Sequence, residues 1–277
     1  MCSVKSALLN AKALLDKVSP TAQLDADILL SFVLEKPRVW LRTWPEATLT
    51  QRQQTTFQNM LDRRALGEPV AYLVGEQEFW SLPLKVTKDT LIPRPETELL
   101  VELALERLTQ DNARVIDLGT GTGAIALAIA SEKKQWVVCG VDFSKDALEV
   151  AKYNAQRLQL NVDFFQSNWL SNVPLEHVDL IVSNPPYIAN DDPHLMEGDV
   201  RFEPGSALIA DDNGLNDFKK ISQEALGYLV PNGLLMFEHG FEQGESVRNI
   251  LSALGYSKIE TIKDLAGLDR VTLAAKK

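Results

Sequence analysis

The chain is poor in the residues that build covalent or metal-held scaffolds. Its 277 residues include two cysteines, Cys2 and Cys139, and three histidines, His177, His194 and His239. Their positions match neither a disulfide framework nor a zinc site, so no metal is expected. Cys139 sits inside the apolar run 136–141 and reads as an inert buried thiol. No apolar run is long enough to span a bilayer, and no charged-then-apolar leader is read at the start. A cytoplasmic protein without a membrane partner is therefore expected. Basic residues are also in deficit: 28 Lys and Arg against 38 Asp and Glu leave a formal charge of −10, with no Lys/Arg-rich segment. Neutralising a phosphate backbone needs clustered cations, so direct binding of nucleic acid is not expected. Internal repeats and low-complexity tracts are absent.

What remains is an ordinary globular composition, 45% hydrophobic and 24% charged, long enough for one large and one small domain. The first ~70 residues read as helices. Val4, Leu8, Ala11 and Leu15 recur at helical spacing, and Leu24, Ile28 and Phe32 do so again, with Leu29 and Val33 widening the stripe. Ser19-Pro20 separates the two helices. Thr50 with Gln53 fits a capping box for a third helix, which passes Phe57 and Leu61 and stops at Gly67. Residues 76–92 carry short strand-like pieces around Ser81 to Pro83, a hairpin linking two domains. Pro93-Arg94-Pro95-Glu96-Thr97-Glu98 then leads into a helix from Glu98 to about Leu108.

From Arg114 the pattern alternates. Strand candidates are 114–118, 136–141, 162–166, 178–183, 233–238, 257–262 and 270–274, with helical stretches at 123–132, 145–158, 215–229 and 243–253. Such alternation implies a parallel sheet wound on both faces. The short connection Lys263 to Asp269 makes the last pair antiparallel, because a parallel pair needs a crossover. Domain boundaries are expected at 1–75, 76–95 (the linker) and 96–277.

Four of the strand ends carry candidate site residues. Gly119-Thr120-Gly121-Thr122-Gly123 follows the first strand, behind Asp117, and opens a helix. Alternate glycines let a ligand approach the backbone. The spacing is not that of a dinucleotide fingerprint, and it suits a ligand with a cationic amino-acid end. A glycine-rich turn without a ligand is the competing reading. Asp142 ends the second strand, about twenty residues on, where an acid can accept both ribose hydroxyls of a nucleoside. It could instead be a helix cap, for which Ser144 competes. Asn168-Trp169 follows the third strand, where the indole can cover an adenine ring or merely fill the core. Asn184-Pro185-Pro186-Tyr187 follows the fourth. Two prolines end the ladder and stiffen the backbone, so that in-plane acceptors and an aromatic ring can hold a flat, neutral NH2 group. A plain proline-rich turn is the alternative there. Ligands bind outside the carboxyl ends of strands in open parallel sheets, so the convergence of four sites on one edge favours the functional readings. Glu238, near the end of the fifth strand, is a weaker candidate. The three histidines read as surface or structural residues. The segment 188–213, rich in Asp, Gly and Pro, reads as a lid, a partner-binding loop or a surface connection.

The glycine loop, the acid after the second strand and the strand-four motif together resemble class I S-adenosyl-L-methionine-dependent methyltransferases. Asn184-Pro185-Pro186-Tyr187 resembles the motif of enzymes that methylate planar nitrogens. With Pro93 to Glu98, the run Asp199-Val200-Arg201-Phe202-Glu203-Pro204 and the N-terminal helices, the whole chain is similar to the protein-(glutamine-N5) methyltransferase family (PrmC/HemK). The resemblance implies a Rossmann-like, seven-stranded, mostly parallel sheet with an antiparallel last strand, plus a small N-terminal helical domain that docks the substrate. It implies S-adenosyl-L-methionine as cofactor, S-adenosyl-L-homocysteine as product, and peptide chain release factors as partners, methylated on the glutamine of a Gly-Gly-Gln loop. It also implies cofactor contacts from Gly119, Thr120, Gly121, Thr122, Gly123, Asp142, Trp169 and Asn184. Asn184, Pro185, Pro186 and Tyr187 would hold the substrate, with Asn184, Pro185 and Tyr187 acting in catalysis. The strand-four motif is shared with N6-adenine and guanine-N2 nucleic-acid methyltransferases, which stand as the alternative.

Overall fold

The computed structural model describes residues 2–196 and 198–277. The chain divides into two units, Met1–Glu76 with Met196–Phe202, and Gln77–Leu195 with Glu203–Lys277.

The first unit is helical: α1 (Val4–Leu15), α2 (Ala22–Leu34), α3 (Arg38–Thr43), α4 (Gln51–Ala65) and α5 (Val70–Val74). α4 starts as expected, with Thr50 Oγ1 accepting from the Gln53 N–H and Gln53 Oε1 accepting from the Thr50 N–H. Leu15, Leu29, Leu30, Phe57 and Leu61 meet in its core. The expected stripe of α2 is corrected: Leu24 and Phe32 are exposed, whereas Asp25, Ala26, Leu29 and Leu30 are buried. The reason is electrostatic. Asp25 lies on the inner face because it pairs there with buried Arg64 of α4, Nε to Oδ2 2.8 Å. A charged residue on the buried face defeats a hydrophobicity count. Arg64 Nη1 also reaches Asp199 at 2.8 Å, which anchors part of the segment 188–213 to the helices of this unit. The short α3 and α5 lacked a periodic signal long enough to read.

The second unit opens with a hairpin, β1 (Glu76–Phe79) and β2 (Leu82–Lys85). Its turn is Trp80-Ser81, both left-handed at φ 52° and 58°, one residue earlier than the proline-centred turn expected. Two consecutive left-handed residues match the twist of a two-residue hairpin loop, and Pro83 is tolerated because a ribbon has only edges. A 3₁₀ turn, Pro95–Thr97, runs into α6 (Glu98–Arg107). There follow β3 (Arg114–Leu118), α7 (Ala124–Glu132), β4 (Val137–Asp142), α8 (Lys145–Leu158), β5 (Asp163–Gln166), β6 (Val178–Ser183), the short α9 (Asp211–Gly214), α10 (Asn216–Tyr228), β7 (Leu229–Glu238), α11 (Gly244–Ala253), β8 (Ser257–Lys263) and β9 (Asp269–Ala275). The strands form one sheet in the order β5-β4-β3-β6-β7-β9-β8, parallel except for β9, which pairs antiparallel with β7 and β8.

Strand side chains alternate between two cores. Val115, Leu180, Val182 and Met236 pack with α6 and α7 on one face. Ile116, Ile181, Leu235 and Phe237 pack with α10 and α11 on the other. Phe218 of α10 meets Phe237 edge-on at 5.2 Å. Burying each such ring contributes about 1.5–3 kcal/mol. Among the described residues no helix is long and apolar enough to cross a membrane.

The buried pair in the helical unit gives a measurable expectation. Asp25→Ala leaves the Arg64 guanidinium buried with only half-exposed Asp199 to balance it, and is expected to cost about 3 kcal/mol. A urea titration followed by far-UV circular dichroism would show a lowered midpoint. An unchanged midpoint would mean that the pair does not hold α2 against α4.

Candidate active site

The chain winds outward from β3 through β4 to β5, then returns to place β6 on the other side of β3. At such a reversal the connections after β3 and β6 leave in opposite directions and a crevice opens at the carboxyl ends. Ser183 at the end of β6 ties the two ends together by donating from its hydroxyl to the Leu118 carbonyl at 2.8 Å.

The glycine loop lies in this crevice. The N–H groups of Gly119 and Thr120 both donate to the Val141 carbonyl, at 2.8 and 2.9 Å, which folds the loop across the end of β4. Gly119, Gly121 and Gly123 all take left-handed φ, 72°, 54° and 84°, a region that strains side chains with a Cβ. Gly119 also faces the Trp169 ring, 3.5 Å from where its Cβ would stand. Asp142 is braced: Oδ2 accepts from the Gly121 N–H at 2.9 Å and Oδ1 from the Ser144 N–H at 2.8 Å. It is not the helix cap, since Ser144 caps α8 by accepting from the Ala147 N–H. Trp169, with φ 54°, is fixed by its indole N–H donating to Asp217 of α10 at 3.1 Å.

These residues line one cavity of about 320 Å³. Gly119, Gly121, Asp142, Trp169, Asn184 and Pro186 all border it. Thr120, Thr122 and Gly123 do not; they shape the loop from behind, Thr120 by donating from Oγ1 to Asp117 at 2.6 Å and Gly123 by capping α7. Pro185 and Tyr187 also stand back from the cavity. The Tyr187 carbonyl accepts from Gln243 at 3.1 Å, and burial, then the charge of Glu238, pushes its phenol up to about 12. Phe143, exposed by 73%, and the residues Asp89, Thr90 and Leu91 join the wall. None of these four carries a motif that a sequence reading would select. Ser206, Ala207 and Ile209 of the segment 188–213 line it too. That segment is held down: buried Glu203 accepts from the Ile92 N–H at 3.0 Å and pairs with Arg94.

Asn184 Nδ2 donates to Thr97 Oγ1 at 3.3 Å, which joins the segment Pro93 to Glu98 to the strand-four turn. Behind them lies Glu238, at the end of β7 and 2% exposed. Burial raises its carboxyl to about 7 against hydrogen bonding from Thr97 and the charges of Arg270 and Arg94. Asp117 behaves alike, raised by burial to about 7 although Thr120 and the Ala126 N–H donate to it. His177 is exposed, and His239 is buried with one ring nitrogen on the Gly240 carbonyl and the other on Thr272. The His194 side chain lies outside the described residues. Cys139 is buried and its thiol is pushed up to about 12, as an inert thiol should be.

A bare glycine backbone beside a braced carboxylate and an indole wall, with the Asn184 side chain on the same cavity, fits a nucleoside-bearing cofactor with an amino-acid end. The doubly wound sheet with its single antiparallel strand is the methyltransferase fold. The model of the methyltransferase small domain matches residues 95–198, and that of the PrmC N-terminal domain matches residues 6–75. A methyltransferase from Pyrococcus furiosus shares the fold, with TM-score 0.55 and 20% identity over 79% of this chain and 98% of that one. The ribosomal protein L11 methylase of Lactobacillus delbrueckii does so at TM-score 0.51 and 18% identity, over 68% and 81%. Sequence relatives are far closer. The release factor glutamine methyltransferase of Aliivibrio fischeri is 54% identical over 92% of this chain and 90% of its own length. Those of Vibrio cholerae and Escherichia coli are 53% and 47% identical over 94% and 93% of the chain, and over 91% and 93% of their own lengths. The chain belongs to the release factor glutamine methyltransferase family.

The raised carboxyls have a sign that can be measured. Asp117 titrates near about 7 when folded and near about 4 when unfolded. Between those values the folded chain keeps a proton that the unfolded chain has released, so this group makes stability fall as pH rises, until about 7. Asp117→Asn is expected to flatten the fall in urea midpoint between about pH 4 and 7. An identical slope in the variant would show that Asp117 ionises normally.

Proposed function

We propose that the chain transfers a methyl group from S-adenosyl-L-methionine to the side-chain amide nitrogen of the glutamine in the Gly-Gly-Gln motif of class-1 release factors, in the cytoplasm. The observation that carries this reading is that Asn184 borders the same cavity as Gly119, Gly121, Asp142 and Trp169. A holder for a planar NH2 group is thereby joined to a cradle for the cofactor.

The bound cofactor supplies an electrophilic methyl on a cationic sulfur that leaves as neutral S-adenosyl-L-homocysteine. Asp142, with one backbone N–H on each oxygen, retains lone pairs for two ribose hydroxyls. Trp169 and Phe143 would flank the base, and the glycine loop would receive the amino-acid end. An amide nitrogen is a weak nucleophile because its lone pair is delocalised into the carbonyl. Asn184 Oδ1 and the Pro185 carbonyl accept its two N–H bonds, fix its orientation and stabilise the positive charge that develops there. Tyr187 packs on the amide plane and keeps its own proton, so it is no base. None is needed, because an N-methylated amide cation is strongly acidic and releases its proton to water.

The helical unit is the docking element for the release factor. Leu9, Phe32, Val39 and Trp44 are exposed on it and offer apolar side chains to a protein partner. Methylation of a nucleobase NH2 would use nearly the same grip. The charge of −10 and the relatives' names favour the protein substrate.

Tritiated S-adenosyl-L-methionine offered with release factor, DNA and rRNA separately is expected to label release factor alone; label in nucleic acid would overturn this reading. Asn184→Ala should abolish transfer while calorimetry still detects cofactor binding, and retained turnover would remove Asn184 from the chemistry. Asp142→Ala is expected to weaken cofactor affinity by about 100-fold, since it loses both the ribose acceptor and the brace on Gly121.

A further inference from the structure

The turn Asn184-Pro185-Pro186-Tyr187 is stiff at one end only. Each proline fixes its own φ and holds the residue before it extended, so Asn184 and Pro185 are restricted. The ψ of Pro186 and both dihedrals of Tyr187 are not. Neither proline has an N–H with which to tie the turn down. The start is anchored at Ser183, whose hydroxyl donates to the Leu118 carbonyl at 2.8 Å. The end at Tyr187 needs an anchor of its own, because a ring that packs on an amide plane must be held still.

We propose that Gln243 is a positioning residue for Tyr187: its side-chain amide clamps the Tyr187 carbonyl to the turn 212–214 and so fixes the free end of the substrate-holding turn. The proposal rests on the function assigned above. Gln243 Nε2 donates to the Tyr187 carbonyl at 3.1 Å and to the Asn213 carbonyl at 3.4 Å. Gln243 Oε1 accepts from the Gly240 N–H at 3.0 Å. All three partners are backbone groups of fixed polarity, two acceptors and one donor, so only one orientation of the amide satisfies them. The Gln243 N–H donates in turn to the Gly240 carbonyl at 2.9 Å, which holds the clamp at the start of α11. A second feature converges on the same carbonyl. Asp212, Asn213 and Gly214 are three successive left-handed residues, at φ 59°, 54° and 79°. Such a run costs free energy and persists where its surroundings over-determine it. A Cβ on Gly214 would overlap the Tyr187 carbonyl, so glycine is required for the approach. Gln243 and Gly214 do not line the cofactor cavity, so the clamp acts on the target amide and not on the cofactor.

The test uses the full chain with release factor and S-adenosyl-L-methionine, both saturating. Gln243→Glu keeps the length of the side chain and the acceptor for Gly240, and a carboxylate suits the N-terminus of α11, but both donors are lost. Its urea midpoint is expected to equal or exceed that of wild type, and its cofactor Kd to stay within about twofold, while kcat falls by about tenfold or more. Gly214→Ala should lower kcat likewise. The double variant should fall no more than about threefold below the slower single one, since both act through one carbonyl, whereas independent effects would multiply. Wild-type kcat in Gln243→Glu, a kcat that falls only together with the urea midpoint or with cofactor affinity, or multiplying effects overturns the clamp. If Gly214→Ala does not fold, Gln243→Glu decides. If wild type labels no release factor, the assigned function fails instead, and the clamp is read from NMR alone. The backbone ¹⁵N order parameter of Tyr187 should then be about 0.85 in wild type and below about 0.6 in Gln243→Glu. Equal values in the two proteins refute it.

Discussion

The site depends on one constraint, the reversal of winding between β5 and β6. Parallel strands bring all their carboxyl ends to one edge, and the reversal opens that edge between β3 and β6. The candidate residues that border the cavity stand at a strand end or one to three positions beyond it. Gly119 follows Leu118, Asp142 closes β4, Trp169 follows Gln166, and Asn184 follows Ser183. The bond from Ser183 to the Leu118 carbonyl keeps the two central ends in register, so Asn184 and the glycine loop are fixed by the same strand pair.

Electrostatics adds a second layer. The edge collects Asp117, Asp142 and Glu238 in buried surroundings, and each is raised above its ordinary value chiefly by desolvation. Of the three, Asp142 borders the cavity, where its carboxylate disfavours an anion and suits a cation. That suits a sulfonium cofactor and explains why no phosphate cradle is needed. The chain as a whole carries a formal charge of −10, which gives it no general attraction for a phosphate backbone.

Much of this was legible in the chain alone. All seven sheet strands were found, β3 and β6 to the residue, because a doubly wound sheet buries its inner strands on both faces and these read as short apolar runs between glycine and helix signals. The antiparallel last pair followed from a connection too short for a crossover. The inner face of α2 was misread, because Asp25 is buried against Arg64 and a pair distant in sequence leaves no periodic trace. Phe143, Asp217 and Asp89 to Leu91 were missed for the same reason: they join the wall through tertiary proximity, with no spacing that marks them.

The sequence by itself determined the class of chemistry. Alternating glycines, an acid twenty residues on and an Asn-Pro-Pro-Tyr turn are local backbone devices, and local devices are written in consecutive residues. Only the tertiary structure decided how those devices act together. It separated Gly119, Gly121, Asp142 and Asn184, which border the cavity, from Thr120, Thr122 and Gly123, which support the loop from behind. It also brought Thr97 to the side chain of Asn184, joining positions 97 and 184. The physical reason is that hydrogen-bond direction and desolvation depend on which strand ends lie side by side, and strand order is a property of the folded sheet.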